Sequence, residues 1–224
     1  MSPNQIISRY TADGDHSGYT LFIHPDFLLS YPLASKIRQY GFFSYSADEL
    51  LYLSESEKNV VTSLIQNIAA ELRSPIDGLS QDVVISQIEL LLTYSNRFYQ
   101  RQFITRRVSG SLLLTDFEKF LEKGFAKENI LLNGLPSVSS LANKLHISSS
   151  YLSDLLREMT GQSAQQHIQD KLIDKAKENL AASELSISEI AYGLGFGYPQ
   201  SFTRLFRAKT KLSPQKFRSS FQGN

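Results

Sequence analysis

SSLANKLHISSSYLSDLLREMTGQS (Ser139–Ser163) and SEIAYGLGFGYPQSFTRLFRAKTKLS (Ser188–Ser213) are two versions of one pattern, and that pattern decides the fold. Leu141-Ala142 falls on Ile190-Ala191, Leu145 on Leu194 and Ile147 on Phe196. After one extra residue in the second copy, Ser153 falls on Thr203, Leu155-Leu156 on Leu205-Phe206, Arg157 on Arg207 and Ser163 on Ser213. The chain therefore contains an internal repeat with a period of roughly 50 residues.

Each copy reads as a short helix, a break and a second helix. Leu141, Ala142 and Leu145 share one helix face, and the small Ala142 lets a following helix cross closely. His146-Ile147-Ser148 interrupts the pattern, with Ser148 or Ser149 as N-cap of a helix that turns Leu152, Leu155, Leu156 and Met159 inward. Gly161 ends it. The second copy opens on the capping box Ser186-Ile187-Ser188-Glu189 and breaks at Gly195-Phe196-Gly197. Pro199 suits the first turn of the next helix, where its missing N–H costs nothing. A small-residue scaffold helix, a tight turn and a second helix make a helix-turn-helix, whose second helix can enter a DNA major groove. Any single such pair also reads as a plain helical hairpin; two in tandem favour the DNA reading. Between them Ala164–Ala182 places Ile168, Leu172, Ile173, Ala176 and Leu180 on one side of a helix. At about 30 Å, such a rod approaches the roughly 34 Å of one DNA turn, so two recognition helices on it can reach successive major grooves.

The frames YLSDLLREMTGQSAQQHIQDKLIDKAKENL and ISEIAYGLGFGYPQSFTRLFRAKTKLSPQKFR resemble the AraC-type (AraC/XylS) transcription regulators. In the second frame Ile190-Ala191, Gly195-Phe196, Phe202, Arg204, Phe206, Ser213-Pro214 and Phe217-Arg218 fall together at that family's positions. The resemblance implies double-stranded DNA as partner, RNA polymerase as a further one, and a regulator acting as activator. It also implies an interface of Ser149, Ser150, Tyr151, Ser153, Asp154 and Arg157 in the first copy. In the second the interface is Pro199, Gln200, Ser201, Thr203, Arg204, Arg207, Lys209 and Lys211. Asp154 stands where many relatives carry a basic residue, so the first helix either touches few phosphates or reads a cytosine amino group. Lys211 replaces a glycine expected from Gly161, and Gly193 weakens its helix by up to about 1 kcal/mol.

A net charge of +1 looks low for a DNA-binding chain until it is divided by segment. From Ser186 onward Arg204, Arg207, Lys209, Lys211, Lys216 and Arg218 face only Glu189, a local positive field of the kind phosphate requires. The first copy is nearly balanced. Cysteine is absent, which excludes disulfide scaffolds and thiolate metal sites and fits a reducing cytoplasm. No apolar run reaches the roughly 20 residues of a membrane span, so no membrane association is expected. His16, His24, His146 and His167 are scattered, and neither a phosphate loop nor a nucleophile motif occurs. The reading is of a non-enzyme without catalytic residues, metal or cofactor.

Upstream, Ser54-Glu55-Ser56-Glu57 is a second capping box, heading a helix with Val61, Ile65, Ile68 and Leu72 in a stripe. Ser74–Gly78 stops it, and a helix from Ser80 returns antiparallel. That helix is apolar over more than one face. Either the short N-terminal segments cover the excess, or Val84, Ile88, Leu91, Leu92 and Phe98 form a seam with a second copy, giving a homodimer through the 54–104 helices. Arg97, Arg101, Arg106 and Arg107 suit ion pairing or solvation better than phosphate contact. Ser111–Phe125 is amphipathic, 126–136 reads as a linker, and Ser46–Leu53 as a short helix. Ile6-Ile7, Tyr10 and Tyr19–Ile23 are β-prone.

The expected fold class is mainly α: a tandem helix-turn-helix, two three-helix units joined by a long helix, preceded by an α-helical hairpin region and a small β remnant. The expected domains are 1–29 (remnant of an effector domain), 30–130 (helical dimerisation region) and 131–224 (DNA-binding). Relatives of this pattern carry a β-barrel ahead of such helices. About 30 residues before Leu29 are too few for a barrel of about eight strands, so a small-molecule effector is not expected. That shortening motivates an alternative function, a truncated paralogue acting as an interaction module that forms mixed dimers with full-length relatives.

Overall fold

The computed structural model describes residues 18–105 and 107–221. The chain divides into two compact units, the first ending at Arg106 and the second starting at Arg107. All regular structure among the described residues is helical.

In the first unit a 3-10 turn at Pro25–Leu28 leads to α1 (Leu33–Lys36), which continues as a 3-10 turn to Gln39. Tyr19–Ile23, expected as a strand, is irregular instead, and Ile6, Ile7 and Tyr10 lie outside the described residues. Helix α2 (Glu55–Glu71) starts on the anticipated box: the Ser54 hydroxyl accepts from Glu57 N, and the Glu57 carboxylate accepts from Ser54 N. Helix α3 (Ser80–Thr105) packs against it, with Ile68, Val84, Ile85, Ile88 and Leu92 forming a core that Leu28 and Leu33 complete. Part of the apolar excess of α3 is thus covered within the chain, while Val83, Leu90 and Ile104 stay exposed. Val84, Ile88, Leu91, Leu92 and Phe98 are all buried within the chain, and Val84, Ile88 and Leu92 belong to this core, so a dimer seam through those three side chains would have to open it.

Ser46–Leu53 is also not the short helix expected. Helix α3 takes over its backbone groups: Gln102, itself 2% exposed, accepts from Tyr52 N at 2.8 Å and donates to Leu50 O at 3.0 Å. Tyr99 donates to Glu49 O and Arg101 to Tyr52 O. Partners of this kind satisfy an extended segment without either helix or sheet. Arg101 also forms a two-pronged pair with Glu57 at 2.8 and 2.9 Å, in keeping with ion pairing over phosphate contact. Arg106 and the Arg107 side chain lie outside the described residues.

The second unit comprises α4 (Arg107–Gly124), α5 (Lys127–Asn133), α6 (Val138–Lys144), α7 (Ser149–Thr160), α8 (Ala164–Ala182), α9 (Ile187–Gly193), α10 (Pro199–Thr210) and α11 (Pro214–Ser219). The stretch expected as a linker therefore holds a helix, α5, and the amphipathic α4 packs on α6 and α7 while α5 lies against α9. Phe117, Leu121, Phe125 and Ile130 supply apolar surface that joins the core of the repeat, which is why this segment belongs with the repeat instead of bridging to it. Pro136 closes against Gly124, whose missing side chain leaves room for the ring.

The two copies have the same skeleton. Helices α7 and α10 are each 12 residues long. Ile147 N donates to Ala142 O across the first turn and Phe196 N to Ala191 O across the second. Gly161 (φ 77°) and Lys211 (φ 63°) end the second helices in the left-handed conformation. Ser163 and Ser213 then cap α8 and α11. One detail of the repeat is hard to see in sequence: Thr160 Oγ1 donates to Leu156 O at 2.7 Å, and Thr210 Oγ1 to Phe206 O at 2.8 Å. Each threonine also accepts from the backbone two residues on, so the same side chain fastens both helix ends.

Candidate nucleic-acid interface

Amphipathicity decides which sides of α7 and α10 face outward. Leu152, Leu155 and Leu156 point into the core from α7, and Phe202 and Phe206 from α10. On α10 this leaves Gln200, Arg204 and Arg207 exposed, with Thr203 half-buried between them. Together with Pro199 and Ala208 they line one groove, whose far wall is Ile187 and Ser188 from the first turn of α9. Five of the residues expected to meet DNA are thus brought together: Pro199, Gln200, Thr203, Arg204 and Arg207. Ile187, Ser188 and Ala208 were not anticipated. Their signal was the Ser186–Glu189 capping box, which fixes where α9 starts and so what stands opposite α10.

The second recognition helix begins differently from the first. Ser148 caps α7 by accepting from Tyr151 N at 3.1 Å. Tyr198 occupies the same place before α10, makes no side-chain cap and is 74% exposed. Pro199 removes one of the N–H groups that a cap would otherwise serve.

A family model described as a helix-turn-helix domain matches residues 141–220, covering both copies. Residues 141–220 form an AraC-type helix-turn-helix domain. The chain is 33% identical over 165 residues to the uncharacterized HTH-type transcriptional regulator YfiF of Bacillus subtilis (strain 168), a match over 74% of this chain and 49% of that protein. It is 26% identical over 154 residues to the HTH-type transcriptional activator RhaS of Citrobacter koseri, over 69% of this chain and 50% of that one. The chain spans half or less of the length of these relatives. Among solved structures, the C-terminal domain of the two-component response regulator yesN from Fusobacterium nucleatum is 27% identical and aligns with a TM-score of 0.41, over 46% of this chain and 93% of that one.

Within the AraC-type domain, the first copy presents Ser150, Ser153, Asp154 and Arg157 at the positions of Gln200, Thr203, Arg204 and Arg207. Arg157 Nη1 donates to Asp154 Oδ1 at 2.7 Å. Ser149 is exposed and Tyr151 half-buried beside its capped backbone. Two of the anticipated cations are employed elsewhere. Lys209 Nζ lies 2.8 Å from Asp170 Oδ1, so this side chain faces α8 and not the groove. Lys211 Nζ donates to Ala208 O at 3.1 Å, returning to the carbonyl end of its own helix. Ser201 is half-buried outside the groove lining. Arg204 and Arg207 are exposed, carry positive charge into the groove and make no ion pair among the described residues.

No group of three or more His, Asp or Glu side chains suited to a metal occurs among the described residues. No described helix is long and apolar enough to cross a membrane.

Proposed function

We propose that the chain is a sequence-specific DNA-binding transcription regulator that sets α7 and α10 into successive major grooves. The observation that carries this reading is the pair of 12-residue helices in matched register on the 19-residue α8, which at 1.5 Å per residue spans about 28 Å. A connecting helix of that length is comparable to one turn of the duplex. The second copy supplies most of the phosphate attraction through Arg204 and Arg207; the first, with Asp154 neutralising Arg157, supplies discrimination. RhaS is named an activator, and we assign the same direction here, which makes RNA polymerase a second partner.

Selection from a pool of random duplexes, followed by mobility-shift titration at moderate salt, tests the reading. The expected result is one enriched motif with two blocks a helical turn apart, and a failure to enrich any motif sinks it. Arg204→Ala is expected to weaken all duplexes and to flatten the dependence of log affinity on log salt by about 0.9. Gln200→Ala is expected to change preference at one base pair in the second block by about 1–3 kcal/mol. A reporter downstream of the enriched motif rises with the protein if it activates.

A further inference from the structure

The two recognition helices share their outward positions but not their chemistry. Where α10 places Arg204 and Arg207, α7 places Asp154 and Arg157. An acid on this face repels phosphate, so it weakens general affinity for DNA. As a helix-stabilising device an exposed pair three residues apart contributes little. The two groups are nonetheless joined at 2.7 Å, with the Asp154 side chain 28% and the Arg157 side chain 58% exposed.

We propose that Asp154 and Arg157 act as one unit that reads a C·G base pair in the first block of the DNA site. In the major groove a C·G pair shows the cytosine N4 amino donor beside the guanine O6 and N7 acceptors. The joined side chains show a carboxylate acceptor beside guanidinium donors, the complementary order. A guanidinium has five N–H donors, so after donating to Asp154 it keeps a fork for O6 and N7. The carboxylate accepts from N4. An A·T pair suits this unit less well, because thymine offers the fork one oxygen and then a methyl group. The hydrogen bond between the two side chains holds acceptor and donor at adjacent places before DNA arrives, which lowers the ordering cost of the contact. The inference deepens the DNA-binding reading above and depends on it.

The test uses the full chain and the duplex obtained by selection, together with duplexes in which single base pairs are changed. Wild type is expected to prefer C·G at one position of the first block by about 10- to 100-fold. Asp154→Ala and Arg157→Ala each lose that preference, at the same base pair and at no other. Asp154→Ala also binds the changed duplexes as tightly as wild type or more tightly, since a negative charge has left the phosphate field. A misfolded variant would instead lose every duplex alike. If the wild type selects a motif and Asp154→Ala keeps every positional preference, this inference fails while the regulator reading stands. Loss at two different base pairs in the two variants overturns the claim of a joint unit. If the wild type selects nothing, both readings fall.

Discussion

At the scale of single residues, the two helix-turn-helix turns solve one backbone problem with different side chains. His146 (φ 57°) and Gly195 (φ 86°) both take the left-handed conformation. His146 is exposed, so its side chain meets no crowding and the cost is the backbone strain alone. Gly195 has no such freedom: a Cβ there would come within 3.0 Å of Leu135 Cγ and 3.3 Å of Ile130 Cγ2. Gly195→Ala is therefore expected to cost about 1–3 kcal/mol in urea unfolding, strain and crowding together. The converse holds at Lys211, where the exposed side chain supplies a surface hydrogen bond to Ala208 O but the backbone is left-handed. Lys211→Gly is expected to raise stability by up to about 1 kcal/mol, and an unchanged or lower midpoint would contradict strain at that site.

At the scale of elements, the junction of α4, α7 and α8 carries a pH dependence. The imidazole of His167 stands edge-on to Phe117, with ring centres 5.6 Å apart, and its Nε2 lies 2.8 Å from Thr160 Oγ1. The hydroxyl proton of Thr160 goes to Leu156 O, so Nε2 is the donor toward Thr160. Burial pushes the His167 pKa down, against the opposing pull of Asp170 and Glu118. The unfolded chain thus takes up this proton more readily than the folded one. Its contribution to stability is whole above the ordinary imidazole range, about pH 6.5, and is lost as pH falls below it. The thermal midpoint should decline as pH falls below about 6.5, and His167→Gln should remove that part of the slope. A wild-type midpoint flat across this window would contradict the burial argument.

At the scale of the whole molecule, the second unit has one core and not two. Leu152 and Leu156 of the first copy, Phe202 and Phe206 of the second, and Ile168, Leu172, Ile173, Ala176 and Leu180 of α8 belong to the same apolar cluster. The long helix is consequently a shared wall, and the spacing of α7 and α10 is set by packing along it. Leu172→Ala, at a position 4% exposed, is expected to cost about 2–5 kcal/mol. Hydrogen exchange should show the amides of α7 and α10 losing protection together. Loss confined to one copy would mean two separable cores.

The sequence by itself determined the repeat, both recognition helices, the caps that start them and the residues that turn inward. These are local properties, since helical periodicity, capping boxes and left-handed ends depend on neighbours three or four positions away. Pro199 at the start of α10, the box at Ser54 and the strain at Lys211 were legible for that reason. Tertiary structure alone decided which partner each apolar face meets. It covered part of the α3 face with Leu28 and Leu33 from its own chain, made a core helix out of the apparent linker at 127–133 and tied Leu50 and Tyr52 to Gln102. It also turned Lys209 to Asp170 and joined Arg157 to Asp154. Burial responds to the total apolar area that can be brought together, and the pairing of a charge depends on distance in space. Neither quantity is carried by spacing along the chain.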